Sequence, residues 1–141
     1  MSEAREYVFP VRVYYEDTDA AGVVYYANYL RFAERARTEL LRDMGVDHRT
    51  LLADDGIMFA VRRCEAEYVK PARLDDLLEV RTRFGGATGA SFWMEQEIRR
   101  DDEMLADLKL RLVCLRPDGR PARLPDAVRE MAAAAVSETT H

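Results

Sequence analysis

Both the fold and the chemistry of this chain turn on residues 15–29, Tyr15-Glu16-Asp17-Thr18-Asp19-Ala20-Ala21-Gly22-Val23-Val24-Tyr25-Tyr26-Ala27-Asn28-Tyr29. Three carboxylates, Glu16, Asp17 and Asp19, end a strand-like segment, and an apolar run punctuated by Gly22 leads straight into a helical pattern. An acid at a helix start sits beside unpaired backbone N–H groups and the positive end of the helix dipole, so it has an oxyanion binder next to it. The same residues also suit an acidic turn that caps the helix.

Upstream, Tyr7, Phe9, Val11, Val13 and Tyr15 occupy alternate positions, the period of a half-buried strand, and Pro10 suits an edge or an irregular strand start better than a central position. Downstream, residues 28–44 carry Tyr29, Phe32, Ala33, Ala36, Leu40, Leu41 and Met44 at helical spacing, with Gly45 as the stop. Glu34, Arg35, Arg37, Glu39 and Arg42 fall on the solvated face of this helix, which is about 25 Å long. Residues 47–53 suit a short second helix capped by Asp47, and Asp54-Asp55-Gly56 reads as a turn. Residues 57–69 alternate imperfectly, as a strand does when it is covered on both faces or touches a partner subunit, and Pro71 ends the run.

Leu78, Val80, Thr82 and Phe84 restore the alternation, Gly85-Gly86 turns the chain, and Phe92, Met94 and Ile98 repeat the device. After a charged turn at residues 99–102, Met104 through Cys114 alternate with Glu103, Asp107, Lys109 and Arg111. A Pro-Asp-Gly turn follows within residues 116–120. Pro125 opens a final helix to Ala135, whose alanine run makes a weak core and a fraying end. One strand, a long helix and four strands give an α+β domain over residues 1–141, with an antiparallel sheet able to bury one helix. Its unpaired edge invites a second copy of the chain, so a homo-oligomer is expected.

Residues 15–29 resemble the signature of the hot-dog-fold acyl-CoA thioesterases, specifically the 4-hydroxybenzoyl-CoA thioesterase and Tol-Pal-associated (YbgC-like) branch. Thr18-Asp19, Gly22-Val23-Val24 and Ala27-Asn28-Tyr29 carry the match. It extends upstream through Pro10-Val11-Arg12-Val13-Tyr14-Tyr15, and downstream through residues 34–39 and Pro71-Ala72-Arg73-Leu74-Asp75-Asp76, spanning about residues 10–115. The resemblance implies a sheet of about five strands wrapped around one long helix. It further implies subunits whose sheets join into one, a homodimer or homotetramer, and active sites between subunits.

It also implies roles. Asp19 aligns with the catalytic aspartate, as nucleophile or as general base toward water, and the backbone N–H of Tyr26 aligns with the donor that polarises the thioester carbonyl. Gly22 allows close backbone approach to the substrate. Val23, Val24, Tyr25, Tyr29 and Phe59 are candidates to line the acyl slot. Thr88 and Ser91, in the Gly85–Ser91 loop, and Arg62, Arg63, Lys70 and Arg73 are candidates to hold the CoA phosphates. Asp17, two residues from Asp19, is expected to serve turn hydrogen bonding, although on an extended segment the two carboxylates point the same way and repel. Two departures stand out: Tyr26 occupies a position that is often histidine in the YbgC-like branch, and the glycine loop lacks Lys or Arg where some relatives have them.

Composition narrows the field. A net charge of -5 over 141 residues argues against nucleic acid as the main partner, and 48% hydrophobic with 33% charged residues is a globular balance. No apolar run reaches membrane-spanning length, and residues 1–6 lack a signal-peptide core, so a cytoplasmic location is expected. Cys64 and Cys114 read as buried apolar residues, and His48 as a surface loop residue. With His141 the only other histidine, a metal site is not expected. No cofactor is implied; CoA enters as part of the substrate, with acyl carrier protein as an alternative carrier.

Residues 17–28 fail as a calcium loop, because Ala21 and Asn28 stand where acids are needed. A hot-dog dehydratase or isomerase lacks its histidine near the helix. A non-catalytic module binding acyl-CoA or acyl carrier protein is the alternative to an acyl-CoA thioesterase, and thiol release separates the two.

Overall fold

The computed structural model describes residues 6–139, with side chains as far as residue 135. Strands β1 (Tyr7–Arg12), β2 (Met58–Tyr68), β3 (Leu77–Thr88), β4 (Ser91–Arg100) and β5 (Glu103–Leu115) form one sheet in the order β1-β3-β4-β5-β2. Every neighbouring pair is antiparallel. Helix α1 (Tyr26–Asp43) follows β1. The short α2 (His48–Thr50) continues as a π-helical turn, Leu51–Asp55, and α3 (Asp126–Thr139) follows β5.

One face of the sheet makes the core. Leu78, Val80 and Phe84 of β3, Phe92, Met94 and Ile98 of β4, and Ala106, Leu108, Leu110 and Leu112 of β5 are buried. They pack in one cluster with Tyr29, Phe32, Ala33, Ala36, Leu40 and Leu41 of α1. The small Ala33 and Ala36, both fully buried, sit on the packed face of the helix. The opposite sheet face is charged and laced by ion pairs such as Arg81–Glu79, Arg83–Glu95 and Arg99–Glu97. Among the described residues no helix is long and apolar enough to cross a membrane.

The α+β order, the edge position of β1 and the Asp47 cap, whose carboxylate accepts from Arg49 N at 3.3 Å, agree with expectation. Several details do not. Tyr15 leaves the strand for a 3-10 turn, Tyr15–Asp17, and is 82% exposed. Arg37 is buried rather than solvated, donating Nη1–H to Gln96 Oε1 at 3.0 Å. Strand β2 is not covered on both faces within the chain but is a mostly exposed edge bulged at Arg62, which leaves the other expectation, contact with a partner subunit, open, and Cys64 on it is exposed rather than buried. Gly85-Gly86 does not turn the chain but forms a bulge inside β3, with the reversal at Gly89-Ala90. Helix α3 continues past Ala135 and buries Val128, Ala132 and Ala135, so the alanines let it sit close to the sheet. His141 lies outside the described residues.

Candidate active site

The loop that precedes α1 sorts two neighbouring carboxylates into different environments. Asp17, 3% exposed, ends the 3-10 turn. Its Oδ2 accepts from Tyr14 N at 2.9 Å and its Oδ1 from Asn28 Nδ2 at 2.8 Å. Its own carbonyl accepts from Tyr25 N at 3.2 Å. Asp17 thus holds the turn against the first turn of α1, in the turn hydrogen bonding expected of it. Asp19 is exposed. Its Oδ1 accepts from Ala21 N at 2.8 Å and Val23 N at 3.3 Å, while Oδ2 accepts from no described residue. Gly22, at φ +78, supplies the left-handed residue that closes this tight loop. A Cβ there meets nothing within 4 Å, so the glycine is required by backbone conformation rather than by packing within the chain.

Helix α1 starts at Tyr26, preceded by the extended Tyr25 at φ -68 and ψ 141, with no side chain capping the end. Asn28 N bonds Tyr25 O at 2.9 Å, whereas the Tyr26 N–H has no acceptor among the described residues. Asp19 and Tyr26 both line one cavity of about 470 Å³, together with Val23, Val24, Tyr25, Tyr29, Tyr68, Val69, Lys70 and Pro71. Tyr68 was not anticipated. It ends β2, an exposed edge strand whose broken alternation hid which way it faces, and its ring lies 4.8 Å from Tyr26 and 5.3 Å from Tyr29.

Burial pushes the Tyr29 phenol up, only partly opposed by the Ala72 N–H donated to its oxygen at 2.9 Å. Burial raises Tyr68 as well. Both rings therefore stay neutral at physiological pH, and the wall beside Asp19 is aromatic and uncharged. Lys70, the one cation on the lining among the described residues, reaches Glu103 Oε2 at 2.7 Å. Glu103 also accepts from Arg100 Nη2 at 3.0 Å, and the Lys70 bond, followed by the Arg100 bond, holds its carboxyl below the usual range.

Seven predicted residues therefore meet: Asp19, Val23, Val24, Tyr25, Tyr26, Tyr29 and Lys70. Gly22 and Arg73 flank them, Gly22 O accepting from Leu74 N and Arg73 bridging Val23. The others lie elsewhere in the chain. Phe59 lines a separate cavity of about 310 Å³ with Arg37 and His48. Arg62 and Arg63 are exposed on β2, and Arg63 pairs with Glu65. Thr88 is exposed beside the β3–β4 turn, and the buried Ser91 accepts from Arg111 Nε at 3.3 Å. A hollow of about 530 Å³ between Asp55, Arg116 and Asp126 carries none of the predicted residues.

A five-stranded antiparallel sheet around a central helix, with an acid-bearing loop at that helix's first turn, is the architecture of the hot-dog class. The thioesterase-like superfamily matches residues 13–132. The acyl-CoA thioesterase YbgC of Haemophilus influenzae is 47% identical over 107 residues, covering 76% of this chain and 79% of that protein. The acyl-CoA thioester hydrolase YbgC of Escherichia coli O6:H1 is 43% identical over 122 residues, 85% and 90% of the two chains. The crystal structure of a probable thioesterase from Bartonella henselae superposes with a TM-score of 0.83 at 41% identity, covering 86% of this chain and 100% of that one. The chain belongs to the thioesterase-like superfamily and, within it, to the YbgC-like thioesterases; it is a thioester hydrolase.

Proposed function

We propose that the chain hydrolyses acyl-CoA thioesters to a carboxylic acid and free CoA, with Asp19 as the catalytic carboxylate and the Tyr26 N–H as the carbonyl-polarising donor. The observation that supports this reading is the shared cavity: Asp19, with one uncommitted oxygen, and Tyr26, whose N–H is unpaired among the described residues, both line it. The activities named for the YbgC relatives support the substrate class.

Two routes fit. In one, Asp19 Oδ2 attacks the carbonyl carbon, the C–S bond breaks, the thiolate leaves and takes a proton, and water hydrolyses the resulting anhydride to restore Asp19. In the other, Asp19 accepts a proton from water while the oxygen adds to the carbonyl. Collapse of the tetrahedral intermediate then expels the thiolate, which is protonated. In both, the N–H of Tyr26 takes the developing oxyanion, assisted by the helix dipole. Tyr25, Tyr26, Tyr29 and Tyr68 shield the reacting centre from bulk water, and Lys70 and Arg73 at the rim meet phosphate. The exposed β2 edge, with Met58, Val61 and Tyr68 uncovered, joins a second copy in a homodimer or homotetramer, which would bring Phe59, Arg62, Thr88 and Ser91 into reach of a neighbouring site. The carrier is CoA or acyl carrier protein, and the reaction is cytoplasmic.

Free-thiol release from a panel of aliphatic and aromatic acyl-CoAs tests the reading, wild type against Asp19→Asn. The amide oxygen still accepts from Ala21 and Val23, so the loop survives while the charge is lost. Turnover is expected to fall roughly 10²–10⁴-fold. Full turnover in a folded Asp19→Asn variant would remove Asp19 from the chemistry. Tight binding by the wild type without thiol release would make the chain a binder.

A further inference from the structure

Residues 71–76 form a strap between β2 and β3 that touches both halves of the proposed site. Ala72, fully buried, uses its carbonyl to accept from Val24 N at 2.8 Å and its N–H to donate to the Tyr29 hydroxyl at 2.9 Å. One peptide group therefore registers the loop that carries Asp19, while the next registers the helix that carries Tyr26. Gly22 O accepts from Leu74 N at 3.2 Å, adding a second tie to the acid loop. The far half of the strap is fixed to the end of β1, through Val13 N to Asp76 O at 2.9 Å and Asp75 N to Val13 O at 3.0 Å.

The near half, residues 71–73, is held by one backbone bond inside the strap, Asp76 N to Arg73 O at 3.1 Å, and by side chains. Asp76 Oδ2 accepts from Arg73 N at 2.9 Å and from Arg100 Nη1 at 2.7 Å. The same Arg100 Nη1 lies 3.4 Å from Pro71 O, and Nη2 bonds Glu103, which holds Lys70. Arg100 is the last residue of β4 and pairs with Glu103 of β5, so it ties the strap to the β4–β5 hairpin.

We infer that Arg100 and Asp76 are positioning residues. By clamping residues 71–73 they set where Ala72 sits, and Ala72 sets the separation between the Asp19 carboxylate and the Tyr26 N–H. Neither residue lines the cavity, so neither touches the acyl group there. Their contribution is geometric, and an error of about 1 Å between attacking group and carbonyl is enough to lose roughly 10²-fold in rate.

This inference rests on Asp19 and the Tyr26 N–H as the reacting pair, and the experiment keeps the two readings apart. Arg100→Met, Arg100→Lys and Asp76→Asn are assayed on the best acyl-CoA, with kcat normalised to folded protein and melting followed in parallel. Arg100→Met and Asp76→Asn are expected to lower kcat about 10- to 100-fold with KM changed less than about twofold, and Arg100→Lys to recover part of the loss. A purely structural role would lower the melting temperature and leave kcat per folded site unchanged. If Arg100→Met does not fold, Asp76→Asn decides alone. Unchanged kcat in the folded variants, with Asp19→Asn inactive, overturns this inference and leaves the proposed function standing. Full activity in Asp19→Asn overturns both.

Discussion

Replacing Tyr26 by proline deletes the proposed oxyanion donor while sparing the helix. Proline lacks an N–H and normally breaks helices, but it is tolerated at the first helical position, where the N–H has no intrahelical acceptor. Tyr26 is that position, and its N–H is unpaired. The residue before a proline must be extended, and Tyr25, at φ -68 and ψ 141, already is. What remains is loss of the ring, 65% exposed and in contact with Tyr68, which Tyr26→Ala reproduces. The fold should therefore change by no more than about 2 kcal/mol, about 0.5 kcal/mol being usual for an exposed substitution and about 0.5–1.5 kcal/mol for the ring contact with Tyr68. Removing one oxyanion donor costs about 10²–10³ in kcat, or about 2.7–4 kcal/mol on the barrier, so the catalytic effect outweighs the structural one. Steady-state thiol release with thermal melting, comparing Tyr26→Pro with Tyr26→Ala, reads both quantities. Equal kcat in the two variants would show that the N–H of Tyr26 does not hold the oxyanion.

Three further outcomes are expected. Gln96→Leu strands the buried Arg37 guanidinium and destabilises by about 1.5–3 kcal/mol, whereas the double variant with Arg37→Met recovers most of that loss; additive effects in urea unfolding at fixed protein concentration would contradict the coupling. Gly22→Ala, forced to φ +78 with open space around its Cβ, costs about 1–2 kcal/mol by conformational strain alone, and an unchanged denaturation midpoint would argue against it. Glu103 has its pKa depressed by Lys70 and then Arg100, so its contribution to stability is present above the ordinary carboxylate range and lost as pH falls through the depressed value. Glu103→Gln should flatten that acid limb in melting temperature against pH, and an identical limb would refute the linkage.

Period was the legible part of the fold. Strands β3, β4 and β5 alternate cleanly because one face meets the core and the other meets water, and α1 shows its stripe for the same reason. Polar residues on the core face broke the reading: Arg37 looks solvated by composition, yet it is buried because Gln96 accepts from it while Gln96 Nε2 donates to Ala33 O and Thr82 Oγ1. Such a network depends on residues 59 and 14 positions apart, which no local window connects. Strand β2 misled for the opposite reason. As an edge strand exposed along most of its length, it has no buried face to impose a period, so neither its bulge nor the direction of Tyr68 shows in the residue pattern.

The motif that marks the candidate site was legible, as was turn hydrogen bonding for Asp17, but the backbone geometry that separates the two acids was not. Asp17 and Asp19 are chemically identical and two residues apart, and an extended backbone would make them equivalent. The 3-10 turn at Tyr15–Asp17 rotates the first inward, where Asn28 and the Tyr14 N–H occupy both of its oxygens. The Gly22 turn holds the second outward, where Ala21 and Val23 take one oxygen and leave the other facing no described donor. A carboxylate with both oxygens occupied orders a loop; one with a spare oxygen, in a cavity that Tyr26 also lines, is free to accept a proton or attack a carbonyl. That asymmetry supports the proposed roles, structural for Asp17 and chemical for Asp19, and it predicts that Asp17→Asn, which exchanges an acceptor for a donor against the Tyr14 N–H or the Asn28 amide, loses stability before activity per folded site.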